Sequence, residues 1–366
     1  MRASDPVTDI ATPAADLGFV GVPVAPVRGS GNVRLAIGAA ILAAGVVLIV
    51  LGTTVLAREI VMTGRVALVL LGIGGVYSGT ARIVRALTRP STDVAYWLSV
   101  VWLVLLVGAA VLAPVLPLGE AENSAKTLAD PIFGRPDVFS SNPLGTNQLG
   151  LDLLARAIFG ARTSLMVSLL AAAIGMVLGA AFGLIAGYLR GAADTTIGIV
   201  TNVTLAFPPL VLLLALAAVL PRNSRNQALA LALLVIPVNV RLARAMALSF
   251  SQREFVLAAR AIGAKRTRIM VHELLPNVMV PLASYGFIVI AMLIVAEASL
   301  SFLGLGLPQP SPTWGNMISE GRAGLFEEFP HLVLVPAAFL FVTVLAFNLV
   351  GERLRQRWGA GRTVEL

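Results

Sequence analysis

EFVLAARAIGAKRTRIMVHELLP, residues 254–276, is the longest strongly charged stretch that lies between two apolar ones. Phe255, Ala258, Ala259 and Ile262 fall at i, i+3, i+4 and i+7, which puts them on one side of a short helix. Small alanines in that stripe let another surface come close. Gly263 follows at once and suits a left-handed C-terminal cap. Lys265, Arg266 and Arg268 come next, then the apolar residues Ile269, Met270, Val271, Leu274 and Leu275, bounded by Pro276. The spacing predicts two short helices joined at a glycine, held at a membrane surface and offered to a partner. A basic loop that merely rests on anionic lipid fits the same spacing.

The rest of the chain supplies the setting. Its 366 residues are 57% hydrophobic and only 13% charged, with a mean hydropathy of +0.89, more apolar than a soluble domain needs to be. Several charge-free runs reach the roughly 20 residues of a spanning helix. The fold class is therefore an all-α polytopic membrane protein. The net charge of +8 then speaks of orientation, and no nucleic-acid partner is expected. With no cysteine, disulfides, thiol catalysis and thiolate metal sites are excluded. The two histidines, His272 and His331, are too far apart in sequence for a metal-ligand spacing. No nucleophile–base pair and no carboxylate pair stands where acid–base chemistry would need one. No G-x-x-x-x-G-K-[ST] occurs, so this chain does not hydrolyse ATP.

Taken in order, residues 1–32 carry acids, prolines and glycines without a cleavable signal pattern and read as a disordered tail. Leu35 to Ala57 is the first span. Val66 to Ala81 is shorter, glycine-rich and flanked by Arg65 and Arg82. It crosses if those arginines snorkel, and a re-entrant path is the other option. Gly75 and Gly79 form a small-xxx-small pair that lets it pack on the first span. Together they make a hairpin over 33–90. Residues 91–162 hold the third span, Val94 to Leu118, and a polar connection from Glu120 to Arg162. Leu149, Leu153, Ala157 and Ile158 repeat at near-helical spacing, so the end of that connection is expected along the interface.

The core, 163–351, opens with a span from Thr163 to Leu189. Gly175, Gly179, Gly183 and Gly187 recur in it at every fourth residue, a smooth ridge for close helix packing rather than a glycine-lined path. Thr195 to Leu220 follows, interrupted by Phe207-Pro208-Pro209, then Asn226 to Arg244, the charged loop 251–276, and Val278 to Leu300 with Glu297 near its end. A Gly/Pro-rich segment from Leu303 to Pro330, a last span from Leu332 to Val350 and a basic tail over 352–366 complete the chain. If both ends are cytoplasmic, about two thirds of the 27 Lys and Arg lie inside, among them Arg82, Arg85, Arg89, Arg190, Arg260 and Arg353. That bias places the charged loop in the cytoplasm and favours an even number of spans.

Several stretches together carry a family resemblance. Ala258, Ala259, Gly263, Leu275 and Pro276 match the E-A-A, Gly, I-x-L-P pattern of the cytoplasmic loop in ABC importer permeases. Leu257 stands where that pattern has glutamate, and Glu273 where it has isoleucine. Glu254, three residues earlier, takes over some of the glutamate's role in this reading. Asn142-Pro143-Leu144-Gly145-Thr146 with Gly150 and Asp152 resembles the P-L-G-T-D-x-x-G-x-D segment of one branch, with Asn147 in place of the first acid. The run from Glu297 to Gly306, EASLSFLGLG, is similar to that branch's run without a mismatch, and Pro312-Thr313-Trp314-Gly315-Asn316-Met317 fits its P-x-W-G-N-M turn. From about Val94 to Arg357 the chain therefore resembles the C-type permease subunit of dipeptide, oligopeptide and nickel ABC importers. The first ninety residues are not covered.

The resemblance implies a type I importer transmembrane domain with an extra N-terminal transmembrane hairpin, in the plasma or inner membrane with both termini cytoplasmic. It implies a second homologous permease, two ATPase subunits or one fused ATPase, an extracytoplasmic substrate-binding protein and membrane lipid as partners. ATP and Mg would be used by the ATPases, and no cofactor by this non-catalytic chain. The substrate expected is a di- or oligopeptide, with nickel or another small solute as alternatives. An ion-coupled secondary transporter is the rival class, but it needs midplane ionisable residues, and these spans are almost free of charge.

The loop positions expected to meet the ATPase are Glu254, Leu257, Ala258, Ala259, Arg260, Gly263, Lys265, Arg266, Leu275 and Pro276. Arg253, Leu257 and Arg260 share the side opposite the Phe255 stripe, where a leucine stays exposed unless a partner covers it. Phe207, Pro208 and Glu297 are candidates for the translocation path or its gate. For each, a structural reading stands beside that one: a packing kink at the prolines, and for Glu297 a hydrogen bond to backbone in the adjoining turn. Trp314 reads as a binding-protein contact or an interface anchor.

Overall fold

The computed structural model describes residues 31–53, most positions from 68 to 83, and 93–360 apart from 138–139 and 323–324. The expected tail lies outside these residues except for its last two, which begin a helix, and 361–366 also lie outside. The chain divides into two compact units, Met1–Thr92 and Asp93–Leu366.

In the first unit, α1 spans Gly31–Thr53, and the described positions between 68 and 83 are helical. Glycine decides how the two meet. A methyl group built on Gly75 would stand 2.9 Å from the Gly45 α-carbon, and one on Gly79 would stand 2.7 Å from that of Leu42. Backbone therefore rests on backbone, as the small-residue pair implied.

The second unit is built of helices with no strand among the described residues; Thr146 and Asp152 form one isolated bridge. Asp93 caps α2, Val94–Leu112, by accepting from the Tyr96 amide at 3.3 Å. The helix stops short of the expected Leu118. Asp152 caps α3, Leu153–Leu189, by accepting from the Leu154 and Ala155 amides at 3.1 and 3.2 Å. This helix begins ten residues before the expected span. Residues 153–162, read as the end of the connection, are therefore the first ten residues of that helix. Arg156, in the first turn of this helix, is buried and paired.

Next come α4, Gly191–Ala206, and α5, Pro209–Val219, bent by 90° at Phe207-Pro208. One interrupted span was expected; the prolines, which cannot donate to the helix ladder, separate it into two helices. Asn223 caps α6, Ser224–Phe250. After α7, Glu254–Ala261, α8 runs without a break over Arg266–Phe302. Pro276 was expected to bound the apolar run. It sits instead inside α8, just after a wide π-helical segment, Ile269–Leu274, whose altered ladder accommodates the missing amide. Thr313 and Asn316 form a capping box on α9, Trp314–Glu320. The short α10, Leu325–Glu328, leads to α11, His331–Ala360. Residues 352–360, read as a separate tail, continue this last helix.

Among the described residues, five helices are long and apolar enough to cross a membrane, or six with the bent pair α4–α5 as one crossing. The closest packing is α3 on α6. Gly175, Gly179, Gly183 and Gly187 face Val235, Asn239, Ala243 and Ala247, a four-residue step on both helices. A methyl group on Gly183 would lie 2.6 Å from the Ala243 β-carbon, and one on Gly187 would lie 2.8 Å from that of Ala247. The ridge is a packing surface.

Candidate functional site

The charged loop begins where α6 ends at Phe250. One side chain seats it. Val256 is fully buried among Leu184, Ala243, Ala247, Phe250, Ile269, Leu274 and Val278, with Ala259 packed beside it. Gly263 closes α7 at φ +86°. The Ala264 amide reaches back to the Ala259 carbonyl and the Gly263 amide to that of Arg260, both at 3.0 Å, which satisfies carbonyls at the helix end. Arg260 lies over the Tyr188 ring of α3 at 5.1 Å, and Arg253 over Phe250 at 5.8 Å. Such contacts contribute about 0.5–1 kcal/mol each at exposed sites. The α7 helix is thus fixed on the bundle by one buried valine, a glycine cap and two cation–ring contacts.

This geometry shows what the helix offers outward. The stripe of Phe255, Ala258, Ala259 and Ile262 is not the face that packs on the bundle. Val256 and Ala259 do that, while Phe255 and Ala258 are exposed and Ile262 is 87% exposed. Leu257 is 50% exposed, on the free side as expected. Glu254, Arg260, Lys265 and Arg266 surround these apolar groups in exposed positions. Glu254 lies in the first turn, where a negative charge complements the helix dipole. Leu275 is half-buried against the Val256 cluster, and Pro276 is exposed in the first turn of its helical segment. His272 is an exposed residue of the loop.

The other candidates do not form one site. Phe207 is 53% exposed at the α4–α5 bend, and Pro208 is exposed beside it. Glu297 is fully buried where α3, α6 and α8 converge. Its Oε2 accepts from Ser164 Oγ at 2.8 Å; its Oε1 accepts from Ser301 Oγ at 2.7 Å and Gln227 Nε2 at 3.4 Å. The expected bond to the turn backbone is replaced by three side-chain donors. Ser301 is one helical turn along, but Ser164 and Gln227 are distant in sequence and carry no signal of their own there.

At the far end of α3, Arg156 and Glu320 form a buried ion pair at 2.6 Å. Arg156 Nη1 also donates to the Ala121 carbonyl at 3.0 Å, and Glu320 accepts from Gln309 Nε2 and Asn147 Nδ2, both at 3.1 Å. Burial pushes the Glu320 carboxyl above its ordinary range, and the Arg156 charge opposes that push. The same cluster accounts for Asn147. Its amide donates to Glu320 while its Oδ1 accepts from the Leu149 and Leu151 amides at 2.9 and 3.0 Å. A carboxylate in its place has nothing to donate. Trp314 is fully buried and donates through Nε1 to the Ala157 carbonyl at 3.0 Å. It is neither a surface contact nor an interface anchor, because α9 folds back onto α3.

The described residues thus form a helical bundle with five helices, or six with the bent pair, long and apolar enough to cross a membrane, and a short basic and apolar helix clipped between two of them. The family model for the inner membrane component of binding-protein-dependent transport systems matches residues 179–359. The dipeptide transport system permease protein DppC of Alkalihalophilus pseudofirmus is 33% identical over 258 residues, 70% of this chain and 84% of that protein. The glutathione permease GsiD of Pectobacterium atrosepticum is 35% identical over 59% of this chain and 71% of its own length. The oligopeptide permease OppC of Bacillus subtilis is 31% identical over 62% and 77%. The chain belongs to the family of inner membrane permease components of binding-protein-dependent transport systems, the permease subunits of ABC importers.

Proposed function

We infer that this chain is one of two permease subunits of an ATP-driven importer of di- or oligopeptides. The observation that carries the substrate class is the likeness to dipeptide, oligopeptide and glutathione permeases over most of their lengths. A similar permease would cover the apolar face left open on α4 and α5, where Ile199, Val203, Leu210 and Val211 are exposed. ATPase subunits, separate or fused, would receive α7 in the cytoplasm and use ATP and Mg; a binding protein would deliver the peptide on the other side. Both termini lie in the cytoplasm in this arrangement, with the basic loop inside as the charge bias requires. Uptake of a labelled peptide into liposomes holding the whole importer tests the reading. Uptake that persists without ATP, or ATP-driven uptake of other solutes with none of peptides, would overturn it.

In this reading Leu257 enters an apolar pocket of the ATPase with acidic groups around it for Arg260, Lys265 and Arg266. Leu257→Asp then places an unpaired charge there, at a cost of roughly 1–3 kcal/mol. ATPase co-purification and peptide-stimulated ATP hydrolysis should fall together while membrane insertion stays normal; Leu257→Glu should be milder. Full association and coupling in Leu257→Asp would show that this side of α7 does not meet the ATPase.

The first unit has a peripheral role in this reading. Deleting residues 1–92 should leave co-purification with the second permease and the ATPases unchanged. A truncated chain that inserts well yet fails to assemble would place that unit in the core.

A further inference from the structure

The α4 helix, Gly191–Ala206, is joined to the bundle differently from its neighbours. α5 sends Leu213 and α7 sends Val256 into buried apolar clusters, whereas α4 contributes no residue to any such cluster among the described residues. Thr201 is its one buried residue. Few buried apolar contacts mean a helix that moves at low cost. Two side-chain bridges to α6 hold it instead. Arg244 meets the Asp194 carboxylate through Nε and Nη2, the latter at 2.6 Å, and Arg241 Nη2 donates to Asn202 Oδ1 at 2.8 Å. The Arg244 and Asp194 side chains are 41% and 24% exposed. A fork of two charge-assisted bonds sets a definite geometry, yet a pair open to water adds little to stability and can part.

Both ends of α4 can turn. At its start, Arg190 and Gly191 stand in succession at φ +56° and +59°. Arg190 has ψ −162°, close to a region that only glycine occupies readily, so an arginine there is strained. At its end the chain bends by 90° at Phe207-Pro208. Hinges absorb their changes of φ and ψ at such element-terminal residues. The body beside α4 is stiffer. α3 and α6 touch through the glycine ridge. α7 is seated on both, by Val256 and by Arg260 over the Tyr188 ring, two residues before Arg190. A push on α7 therefore arrives at the hinge of α4 and at the helix that holds its bridges.

We propose that the Asp194–Arg244 pair is a releasable latch on α4. It is closed in the resting importer and parts when the ATPase moves α7. α4 then swings about Arg190–Gly191, while α3, α6 and α7 move as one body. Asp194 and Arg244 are positioning residues, since they act through the angle of α4. The Arg241–Asn202 bond supports the same closed position. The assignment rests on the ATP-driven import reading and adds to it the element that the ATPase turns.

This chain has no cysteine, so Thr195→Cys and Ser249→Cys give it two spin labels, one on α4 and one on α6, both at exposed positions. Pulsed electron resonance measures their separation in the complete importer in liposomes, without nucleotide and with ATP and Mg trapped by vanadate. The parent should show one distance at rest and a second with trapped nucleotide. Asp194→Asn should raise the share of the second distance at rest roughly twofold to fivefold, the factor that an exposed ion pair controls, and should raise ATP turnover without peptide. Arg241→Gln should act in the same direction and less. Exchanging the pair, Asp194→Arg with Arg244→Asp, should restore the resting distance and the low turnover. A single distance in the parent under both conditions would overturn the latch. So would Asp194→Asn with the parent's distances and turnover, or an exchanged pair as open as Asp194→Asn. Peptide uptake alongside any of these results leaves the import reading standing. A second distance with trapped nucleotide, but no uptake of any peptide, keeps the latch and ends the peptide reading.

Discussion

Replacing Gly179 and Gly183 by leucine is expected to abolish the folded permease. Both positions lie where α3 touches α6 backbone to backbone, against Asn239 and Ala243. Even one added carbon at Gly183 meets the Ala243 β-carbon at 2.6 Å and the Val240 carbonyl oxygen at 2.7 Å. A backbone atom cannot rotate away as a side chain end does, so the two helices must separate along their length. Overpacking costs typically 1–3 kcal/mol at one site, so roughly twice that here. Separation also draws α3 away from Val235 and Ala247, which belong to the same ridge on either side, and the cost rises further. Thermal unfolding of the purified complex is the measurement. A double variant that assembles and melts like the parent would show that α3 and α6 do not pack on this ridge.

Arg156→Ala should have the next largest effect, at the opposite end of α3. It leaves Glu320 buried without its cation and the Ala121 carbonyl without its donor. Removing one partner of a buried pair typically costs about 3–5 kcal/mol. Asn147 and Gln309 still donate to Glu320, which favours the lower part of that range. Replacing both partners, Arg156→Met with Glu320→Leu, should recover much of the loss, because apolar residues of similar volume leave no charge stranded. Unfolding midpoints of the single and double variants read this directly. A single variant as stable as the parent, or a double variant worse than the single, would mean that the pair does not hold α9 to α3.

Several of these features are written in local sequence. The glycine step of four, the left-handed cap at Gly263 and the apolar runs are properties of one segment at a time, and the structure has each of them. Helix boundaries were less legible. Residues 153–162 read as the end of a connection and Pro276 as a boundary, yet all of them lie inside a helix. Arg156 is tolerated because Glu320 comes from 164 residues away, and Pro276 because the preceding π-helical segment absorbs its missing amide. The first cause lies far outside the window that a periodicity reading covers, and the second is a change of helix type that apolar spacing does not signal.

Residue order alone was enough to establish a helical membrane protein, the spacing of its apolar runs and a short charged helix between two of them. Hydropathy and capping act along single segments, and their signals survive any tertiary arrangement. Which side of α7 rests on the bundle was settled by packing. Phe255–Ile262 is the more regular apolar stripe, but Val256 is the residue that meets the pocket formed by α3, α6 and α8. Packing also settled that Glu297 is held by Ser164, Gln227 and Ser301 rather than by the adjoining turn. A buried carboxylate takes its hydrogen-bond donors from whichever helices pack around it, and which helices those are follows from the glycine contact of α3 with α6 rather than from anything next to Glu297 in the chain.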